Sequence, residues 1–527
     1  MKSCYFTSRG TGRCLILCAM AFMAFLQAAE IAQTTRYGVV ELSFSGPWQT
    51  PSDNPNLDVD FWVRFRHESG SPVYKIHGFW DGDGKGGTSG NVFKVRFCPT
   101  KTGKWYLDEV YSNRSELKGE KQGDYIQVGA SSHPGFWEVD GNSAGGRWFK
   151  RSNGDHPYIV GNTHYNFLFR PNGHQATPST IRSDIQMNAK YFRKLRFFVR
   201  GPRPENVDPN LKPFFDSSGK QTNKENDRTN PKFFRERVDA AVDEGYKQDL
   251  ICDLILGGDG DQVIDKTGFI KYMAARYGSY PNVWFCVGQE WNEQASASHE
   301  VTMAAKLRSY LAYRVPMSTH GTRGWTSSLN SSDWTHSIRQ GKIGDLSDAA
   351  DALIKDYNNN GHKPTVNDEN GYDPKEATTD DVIEGITGSF FGGGYGTTGH
   401  KIGSKKGGYF WGHAALGHNI TEHPSIDELK YLREKIEQHI SFWKMTPVKP
   451  GNSIFSNANS GFRVLAWNGN EYALGSDAAQ SSVKANLPAG IWEVYQWDIR
   501  NKKEIFHHTG ISGSYTFSTP ASRAAIT

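Results

Sequence analysis

The chain has 527 residues and a formal net charge of +4 at pH 7, and 37% of its residues are hydrophobic. This length is enough for two or three domains, one of them as large as a barrel of about 250 residues, and the composition excludes a mostly disordered chain. So small a net charge gives no sign of a nucleic-acid partner, and we expect none.

Residues 1–29 have the pattern of a secretory signal peptide. A basic start at Lys2 leads into an apolar run from Cys14 to Leu26 and a small-residue exit at Ala29. The run is about a dozen residues long, which is too short for the roughly 20 that cross a bilayer. We therefore expect a secreted or periplasmic protein without a membrane span.

Three cysteines remain beyond this leader, namely Cys98, Cys252 and Cys286. Their number and spacing match neither a disulfide framework nor a metal site, so buried free thiols are the expected state. A bridge between Cys252 and Cys286 stays open as an alternative if the two lie on neighbouring strands.

Two regions alternate short apolar stretches with turns. Residues 35–130, with GVVELSF, DFWVRFRH and NVFKVRFCP, have the period of two that predicts an antiparallel β-sandwich. The acidic turn GFWDGDGKGGTSG lacks the spacing and distal Glu of an EF-hand, so a solvated loop is expected there rather than a calcium site. A second small β-domain is predicted over residues 450–527, where FRVLAWNG, EYALGS and GIWEVYQWD follow the helix-breaking Pro447.

Between these regions, residues 135–446 alternate strand-like runs with amphipathic helices. The strand candidates, in chain order, are YIVGNTHYNFLF, KLRFFVRGP, QDLICDLIL, NVWFCVG, PMSTHG, SDWTHSI, KPTVND and GGYFWGH. Eight strands joined by helices predict a closed (β/α)₈ barrel, because connections of this length form the right-handed crossovers that wind one. Residues 206–230 are a long insert after the second strand, on the face where barrel active sites lie.

Two glutamates stand at the mouths of predicted strands. The strand in NVWFCVGQEWNE leads into Glu290, and the strand in KPTVNDENGYD leads into Glu369. Strands four and seven face each other across a barrel, so the two side chains are expected to converge at its rim. Cleavage of a glycosidic bond needs such a pair, one carboxyl to protonate the leaving oxygen and one to attack, about 5 Å apart in retaining enzymes. On periodicity alone, two unrelated surface carboxylates remain an alternative.

Several segments carry a family resemblance. KPTVNDENGY, with Lys363, Pro364, Glu369 and Tyr372, resembles the KP-x-x-x-x-E-x-x-Y signature of the apiosidase-like glycoside hydrolases in the large retaining barrel clan A. RYGSYPNVWFCVGQEWN resembles the fourth-strand motif of that clan, which ends in Asn-Glu. VVELSFSGPW, VRFCPTKTGKWYL and the tail YTFSTPASRAAIT resemble the accompanying β-domains. The resemblance implies a (β/α)₈ TIM barrel between an N-terminal Ig-like sandwich and a small C-terminal β-sandwich.

The same resemblance implies that Glu290 is the acid/base and Glu369 the nucleophile. The sequence departs from the family pattern at Gln289, where an Asn that holds the sugar hydroxyl beside the reacting carbon is usual. A Gln offers the same amide hydrogen bonds from a longer arm. Asn292-Glu293 matches the literal Asn-Glu dipeptide three residues later, so Glu293 remains a rival acid/base.

Other side chains at predicted strand ends are expected to support the pair or to contact the sugar. A positive charge would hold Glu369 ionised, and imidazole or aromatic groups would orient or stack on a sugar ring. The candidates are Arg196, Arg200, His164, Tyr165, His320, His336, Asn292, Tyr372, Trp291, Trp334 and, at the floor of the reacting subsite, Trp411. For each of them an ordinary structural role is the alternative.

The sequence thus predicts a secreted retaining glycoside hydrolase that acts on a plant or algal polysaccharide, or on its side chains, without a metal or organic cofactor. A non-catalytic carbohydrate-binding protein on the same scaffold is the alternative that the Gln289 departure leaves open. A peptidase or esterase is disfavoured, since the chain lacks H-E-x-x-H and G-x-S-x-G.

Overall fold

A computed structural model describes most of the chain beyond the predicted leader. The described residues are 28–169, 176–200, 210–258, 264–293, 295–322, 331–374, 376–400, 412–414, 417–448, 454–456, 458, 460–477, 482–519 and 525–526. The predicted signal peptide up to residue 27 and the sugar-stacking candidate Trp411 lie outside these ranges. None of the helices within them is long and apolar enough to cross a membrane.

The N-terminal region consists of two facing β-sheets. Its elements are β1 Glu30–Thr35, β2 Val40–Gln49, α1 Pro55–Asp58, β3 Phe61–His67, β4 Val73–His77, β5 Phe79–Trp80, β6 Gly90–Phe97, β7 Gly103–Ser112 and β8 Tyr125–Gly129. One sheet has the order β1-β8-β7-β3-β4 and the other β2-β6-β5. Alternate residues of β3 point inward, and Phe65 stacks on Phe97 of the other sheet at 4.1 Å between ring centroids. The pairing is antiparallel as predicted, except that β1 runs parallel to β8.

The central region contains strands and helices in alternation. Its strands are β9 Trp137–Val139, β10 Phe149–Arg151, β11 Val160–Thr163, β12 Lys194–Phe198, β13 Phe214–Phe215, β14 Gln221–Thr222, β15 Ile251–Gly257, β16 Val283–Gln289, β17 Met317–His320, β18 Ser337–Gln340, β19 Thr365–Glu369, β20 Tyr372–Asp373, β21 Tyr395–Thr397 and β22 Gly399–His400. Its helices are α2 Pro178–Ala189, α3 Pro231–Phe233, α4 Ala240–Lys247, α5 Thr267–Tyr277, α6 Ala297–Tyr310, α7 Leu346–Asn359, α8 Thr379–Phe391 and α9 Ile426–His439, with a π-helical segment, Phe234–Asp239, that joins α3 to α4.

Eight of these strands form one parallel sheet that curls into a barrel. Its order is β17-β16-β15-β12-β11-β21-β19-β18, so the first strand, β11, lies beside the last, β21. The two outer strands meet where the Thr335 N–H donates to the Met317 carbonyl oxygen at 2.9 Å and the Met317 N–H donates to Thr335 Oγ1 at 2.8 Å. The ring is therefore nearly closed, and the predicted TIM barrel between β-rich flanking regions is confirmed.

The eighth strand is not where the sequence analysis placed it. GGYFWGH, the predicted last strand, lies outside the described residues except for Gly412 and His413, and the eighth place in the sheet is taken by β21, which pairs with both β11 and β19. A side chain at Gly394 would place its Cβ 2.4 Å from the Thr365 carbonyl oxygen, and one at Gly396 would place it 2.5 Å from Ile386. The glycines that allow this close packing also remove the apolar pattern by which a strand is recognised in sequence.

The hairpin of β9 and β10 covers one end of the barrel. The Phe149 ring lies 4.7 Å from Trp284, 5.6 Å from His336 and 5.7 Å from Tyr395, measured between ring centroids. These three residues stand at or just before the starts of β16, β18 and β21. The hairpin therefore seals the end where strands begin and leaves the opposite rim, where they end, as the place for chemistry.

The C-terminal region is again built from β-strands. They are β23 Thr446–Val448, β24 Phe455–Ser456, β25 Phe462–Trp467, β26 Glu471–Ser476, β27 Val483–Asn486, β28 Trp492–Asp498, β29 Lys503–Ile511, β30 Ser514–Phe517 and β31 Ala525–Ile526. Two sheets, β23-β25-β26-β31-β28-β29 and β24-β27-β30, enclose a small core that includes Phe455, Phe462 and Val483. Arg463 ties this region to the barrel through Asp351 of α7, at 2.7 Å.

All three cysteines outside the leader are buried and free. The Cys252 thiol lies 3.7 Å from the Ala241 carbonyl oxygen of α4, on the outside of the barrel. Cys252 pairs with Val283, three positions before Cys286 in the neighbouring strand, and side chains alternate between the two faces along a strand. The two sulfurs therefore lie on opposite faces of neighbouring strands, and this excludes the bridge that the sequence left open.

A buried network of charges joins the N-terminal sheets to the barrel. Asp81, which follows β5 and is fully buried, accepts from Arg276 of α5 at 2.9 Å and lies 3.0 Å from the Lys94 ammonium. Arg96 of β6 donates to Asp239 at 2.8 Å. Burial alone would raise the pKa of Asp239, but the guanidinium groups of Arg276 and Arg96 lower it far below its usual range. Each charge here depends on its partners for compensation.

Replacing Asp81 with Asn should therefore destabilise the protein strongly. The variant removes one of the two carboxylates that each of the buried Arg276 and Lys94 contacts, and removal of a partner from a buried charge network typically costs about 3–5 kcal/mol. The matched control is Asp108→Asn, which breaks pairs with the more exposed Arg64 and Arg66 and should cost less than about 1 kcal/mol. Thermal unfolding followed by circular dichroism measures both. Equal melting temperatures for the two variants would contradict a stabilising role for the network.

Candidate active site

The barrel brings the two predicted glutamates to the same rim. Glu369 is the last residue of β19, the seventh strand, and its relative exposure is only 8%. Glu290 directly follows β16, the fourth strand, and is half-buried. Its backbone has a φ of 51°, an uncommon conformation for a residue with a side chain, and such conformations persist where the surrounding structure holds them.

A third residue, Gln340, joins the two carboxylates. Gln340 ends β18, and its Nε2 donates to Oε1 of Glu290 at 2.9 Å and to Oε2 of Glu369 at 2.8 Å. Two oxygens at these distances from one nitrogen cannot be more than about 5.7 Å apart. The sequence analysis missed Gln340, although a polar residue just past the predicted strand SDWTHSI was a signal that could have pointed to it.

The other oxygen of Glu369 faces a second set of donors. Gln289 Nε2 donates to Glu369 Oε1 at 3.0 Å, and Arg196 Nη1 lies 3.6 Å from the same oxygen. Arg196 also donates through Nη2 to Gln289 Oε1 at 2.5 Å. The Tyr165 hydroxyl lies 3.3 Å from Arg196 Nη1 and 3.1 Å from the hydroxyl of Tyr372. Gln289, Arg196, Tyr165 and Tyr372 thus surround Glu369 on the inner side of the rim.

Burial dominates the electrostatics of Glu369. It raises the pKa of this carboxyl to about 8, although a hydrogen bond from Tyr372 opposes the shift, and the neighbouring Glu376 adds to it. His320, at the end of β17, has its Nε2 4.0 Å from Glu369 Oε1. Burial and the nearby Arg196 lower the pKa of His320 far below its usual range, so it stays neutral and adds no positive charge.

Charged groups continue into the barrel interior beneath the site. Lys194 lies against Asp368 and is 3.3 Å from Asp253, and Thr397 donates to Asp368 at 2.7 Å. Burial raises the pKa of Asp253, while Lys194 and Arg196 outweigh burial at Asp368 and keep its pKa far below the usual value. Asp368 is therefore the ionised partner of Lys194, and it precedes Glu369 in the same strand.

Several predicted residues do not reach the carboxylate pair. Arg200 is buried, donates to the Leu256 carbonyl oxygen at 2.8 Å and lies 3.4 Å from Glu225 of the insert, so its charge is directed toward the insert. Asn292 exchanges two hydrogen bonds with Thr322, at 2.8 and 2.9 Å. Both contacts hold the rim together rather than offering groups to a ligand.

Two of the predicted histidines, His164 and His336, also lie against groups other than the carboxylate pair. His164 lies 3.4 Å from the Asn162 amide and 3.5 Å from the Asn188 amide of α2, so it faces a helix. His336 precedes β18 and packs against the rings of Phe149 and Trp284, at the sealed end of the barrel. The expectation that His336 orients the sugar is therefore at odds with its position, because it begins a strand rather than ending one.

The remaining candidates, Glu293, Trp291 and Trp334, differ in how exposed they are. The Glu293 side chain is exposed, and its backbone N–H donates to the Glu290 carbonyl oxygen at 3.1 Å in a 3₁₀ turn, Trp291–Glu293. Trp291 and Trp334 are both buried. Among the described residues, the group spaced to hold a metal ion consists of Asp373, His400 and His423, and it includes neither Glu290 nor Glu369.

A barrel with two convergent carboxylates at the carboxyl ends of strands four and seven has the architecture of glycoside hydrolases. Residues 210–398, which contain both glutamates, match the family model described as the apiosidase-like catalytic domain, and residues 33–109 match a domain of unknown function, DUF5060. The predicted resemblance to this family is thereby confirmed.

Solved structures show the same fold. A candidate glycoside hydrolase from Bacteroides vulgatus ATCC 8482 is 19% identical, with a TM-score of 0.71, and the similarity covers 94% of this chain and 99% of that one. A family 5 glycoside hydrolase from the same organism is 13% identical, with a TM-score of 0.56, over 75% of this chain and 92% of the other. Nothing among the curated proteins matches the chain.

The raised pKa of Glu369 predicts a pH-dependent effect on stability. A carboxyl that titrates near 4.5 when unfolded and near 8 when folded destabilises the fold increasingly as the pH rises between these values. Glu369→Gln removes the ionised form and should raise the melting temperature by several degrees at pH 8 and by little at pH 4. Differential scanning calorimetry across this range measures the effect. A uniform shift at all pH values would show that the pKa of Glu369 is not raised.

Proposed function

We propose that this protein is a retaining glycoside hydrolase, with Glu290 as acid/base and Glu369 as nucleophile. The observation that supports this most strongly is the pair of hydrogen bonds from one Gln340 nitrogen, which limits the facing oxygens to about 5.7 Å. Retaining enzymes hold their carboxyl groups about 5–5.5 Å apart, whereas inverting enzymes need about 6.5–9.5 Å to admit a water molecule.

In the first half of the proposed reaction, Glu290 donates its proton to the glycosidic oxygen as Glu369 attacks the anomeric carbon. The bond to the leaving group breaks and a glycosyl ester on Glu369 forms. In the second half, Glu290 takes a proton from water, whose oxygen attacks the same carbon and releases Glu369. Two inversions at one carbon give net retention.

The environment of the pair fits these two roles once a substrate is bound. Burial raises the pKa of Glu369 in the substrate-free site, whereas the reaction needs Glu369 ionised and a proton on Glu290. Arg196, Gln289 and Gln340 all direct positive or donor groups at Glu369, and these favour its ionised form.

The proposed substrate is a plant or algal polysaccharide or one of its side chains, and the proposed location is secreted or periplasmic. The predicted leader and the match to an apiosidase-like catalytic domain support this choice. Because Gln289 stands where the family usually has Asn, a carbohydrate-binding protein is the second candidate. A screen of purified protein against plant and algal glycans separates the two, because a binding protein would retain a glycan without producing any cleavage product.

Substitution of the glutamates tests the assignment of roles. Glu369→Gln should lower kcat at least about 1000-fold on every substrate, because no nucleophile remains. Glu290→Gln should lower kcat about 100- to 10,000-fold on a natural glycan but far less on an aryl glycoside whose leaving group needs no proton. Glu293→Gln is the matched control and should keep near-normal activity. If Glu293→Gln is inactive and Glu290→Gln is active, the acid/base is Glu293.

Gln340 should act as a positioning residue. Gln340→Ala removes one donor from both carboxylates, so kcat should fall about 10- to 100-fold with a smaller change in KM. Loss of a donor also destabilises the ionised carboxylates and should move the pH profile of kcat/KM toward higher pH. Lys342→Ala, which breaks a half-exposed pair with Asp381 on the same rim, serves as the control. An unchanged pH profile in Gln340→Ala would contradict this role.

A further inference from the structure

Four buried side chains form a second polar cluster beside the proposed active site. They are Asp373 of β20, His400 of β22, and His413 and His423 from the segments that follow, and each is at most 3% exposed. The short strands β20 and β22, which follow the seventh and eighth barrel strands, pair with Asp373 opposite His400. We call these four residues the histidine cluster.

The histidine cluster is left with unsatisfied polar atoms. Within the described part of the chain, no hydrogen bond of normal geometry reaches Nε2 of His400 or either ring nitrogen of His413, and the neighbouring donor to the Asp373 carboxylate is Ser425. Buried polar atoms are normally satisfied, because leaving each one without a partner costs about 1–3 kcal/mol. Several unsatisfied polar atoms in one cluster indicate that it binds a ligand.

The orientation of His400 suits metal binding. Its Nδ1 lies 3.0 Å from the Asp373 carbonyl oxygen, which can only accept a hydrogen bond, so Nδ1 carries the proton. The lone pair is then on Nε2, the nitrogen without a partner. Histidines that bind metals are held in this way, with one nitrogen donating to a carbonyl or carboxylate and the other directed at the ion.

The spacing of the donors also fits. Three residues, Asp373, His400 and His423, each offer one donor atom, and these three atoms lie within 4.8 Å of one another. Oδ1 of Asp373 is 3.3 Å from Nδ1 of His423, which is roughly the separation of two tetrahedral ligands that are each about 2.0 Å from a zinc ion. The His413 ring stacks beside His400 at 5.5 Å between centroids and so lines the same cluster.

The charge of Asp373 leads to the same conclusion. Among the described residues no lysine or arginine forms an ion pair with Asp373, and its neighbour His423 is a buried imidazole rather than a positive charge. A buried carboxylate without a positive partner is costly, and a divalent cation would supply the missing charge. Imidazole nitrogens with one carboxylate are the donor set of zinc and similar divalent transition metals, rather than of calcium or magnesium.

We propose that Asp373, His400 and His423 bind a divalent transition-metal ion of the zinc class, with the His413 ring packed beside them. The almost complete burial of these side chains makes this a closed structural site, without an open position for substrate. Bound metal would tie β20 to β22 and to the start of α9. Tyr372 precedes Asp373, so the ion would also hold the tyrosine that hydrogen-bonds to Glu369.

Metal content of the full-length protein, with any histidine tag removed, tests this proposal without reference to glycosidase activity. After incubation with zinc chloride and gel filtration in metal-free buffer, plasma mass spectrometry should find about one zinc per chain. Asp373→Asn and His423→Gln should each retain less than about a fifth of this amount. His418→Gln is the matched control, because His418 lies in the same segment but is only half-buried and is paired with Glu422.

Wild-type protein provides a second measurement that does not depend on whether the variants fold. Removal of metal with a chelator should lower its melting temperature, and zinc should restore it. Cobalt added to the metal-free protein should give the visible absorption of a tetrahedral site. The proposal is overturned if folded wild-type protein takes up neither ion, or if His418→Gln loses as much zinc as His423→Gln.

Discussion

The whole site depends on the closure of the barrel. Its sheet is continuous from β17 to β18, and the ring is completed where Met317 and Thr335 exchange hydrogen bonds. Closure brings the ends of β16, β18 and β19 around one point, although Glu290, Gln340 and Glu369 are far apart in sequence. Without it, no single amide nitrogen could lie within hydrogen-bond distance of both glutamates.

A closed ring also imposes an electrostatic cost. The interior below the rim holds Lys194, Arg196, Asp253 and Asp368, all with at most 1% exposure. Such groups are tolerated because each has an oppositely charged partner inside the ring, and removal of one would leave another uncompensated. Burial at the same end of the ring also raises the pKa of Glu369.

Strand order and the family motifs were sufficient to predict the pair of glutamates. Glu290 and Glu369 stand at the ends of apolar strands, so the barrel topology alone brings them to one rim. Gln340 ends a strand of only four residues, and its meeting with both glutamates depends on the neighbouring strands rather than on any local pattern. His336 looked equivalent to His320, yet the two lie at opposite ends of the barrel, because a short strand carries little information about where it begins.

Other features were beyond the sequence for different physical reasons. Arg200 is diverted from the carboxylates by Glu225, which comes from an insert without a recognisable pattern. The strand β21 is hidden by glycines that its packing requires. The histidine cluster draws its members from positions 373 to 423, a span far longer than the spacings by which metal sites are recognised, so only the folded chain brings them together.

Gln289 stands where the family usually has Asn, and the contacts of its side chain with Arg196 and Glu369 explain this difference. Arg196 Nη2 donates to Gln289 Oε1 and thereby turns the amide nitrogen toward Glu369, which it reaches at 3.0 Å. An asparagine on the same backbone would have an arm shorter by one carbon, so its amide could not reach both Arg196 and Glu369 from this position without movement of the strand. The longer side chain therefore places an amide donor beside Glu369 while its backbone remains at the end of β16. In this protein the amide next to the proposed acid/base is part of the support for the proposed nucleophile, and a sugar hydroxyl that enters the site would meet an amide already oriented by Arg196.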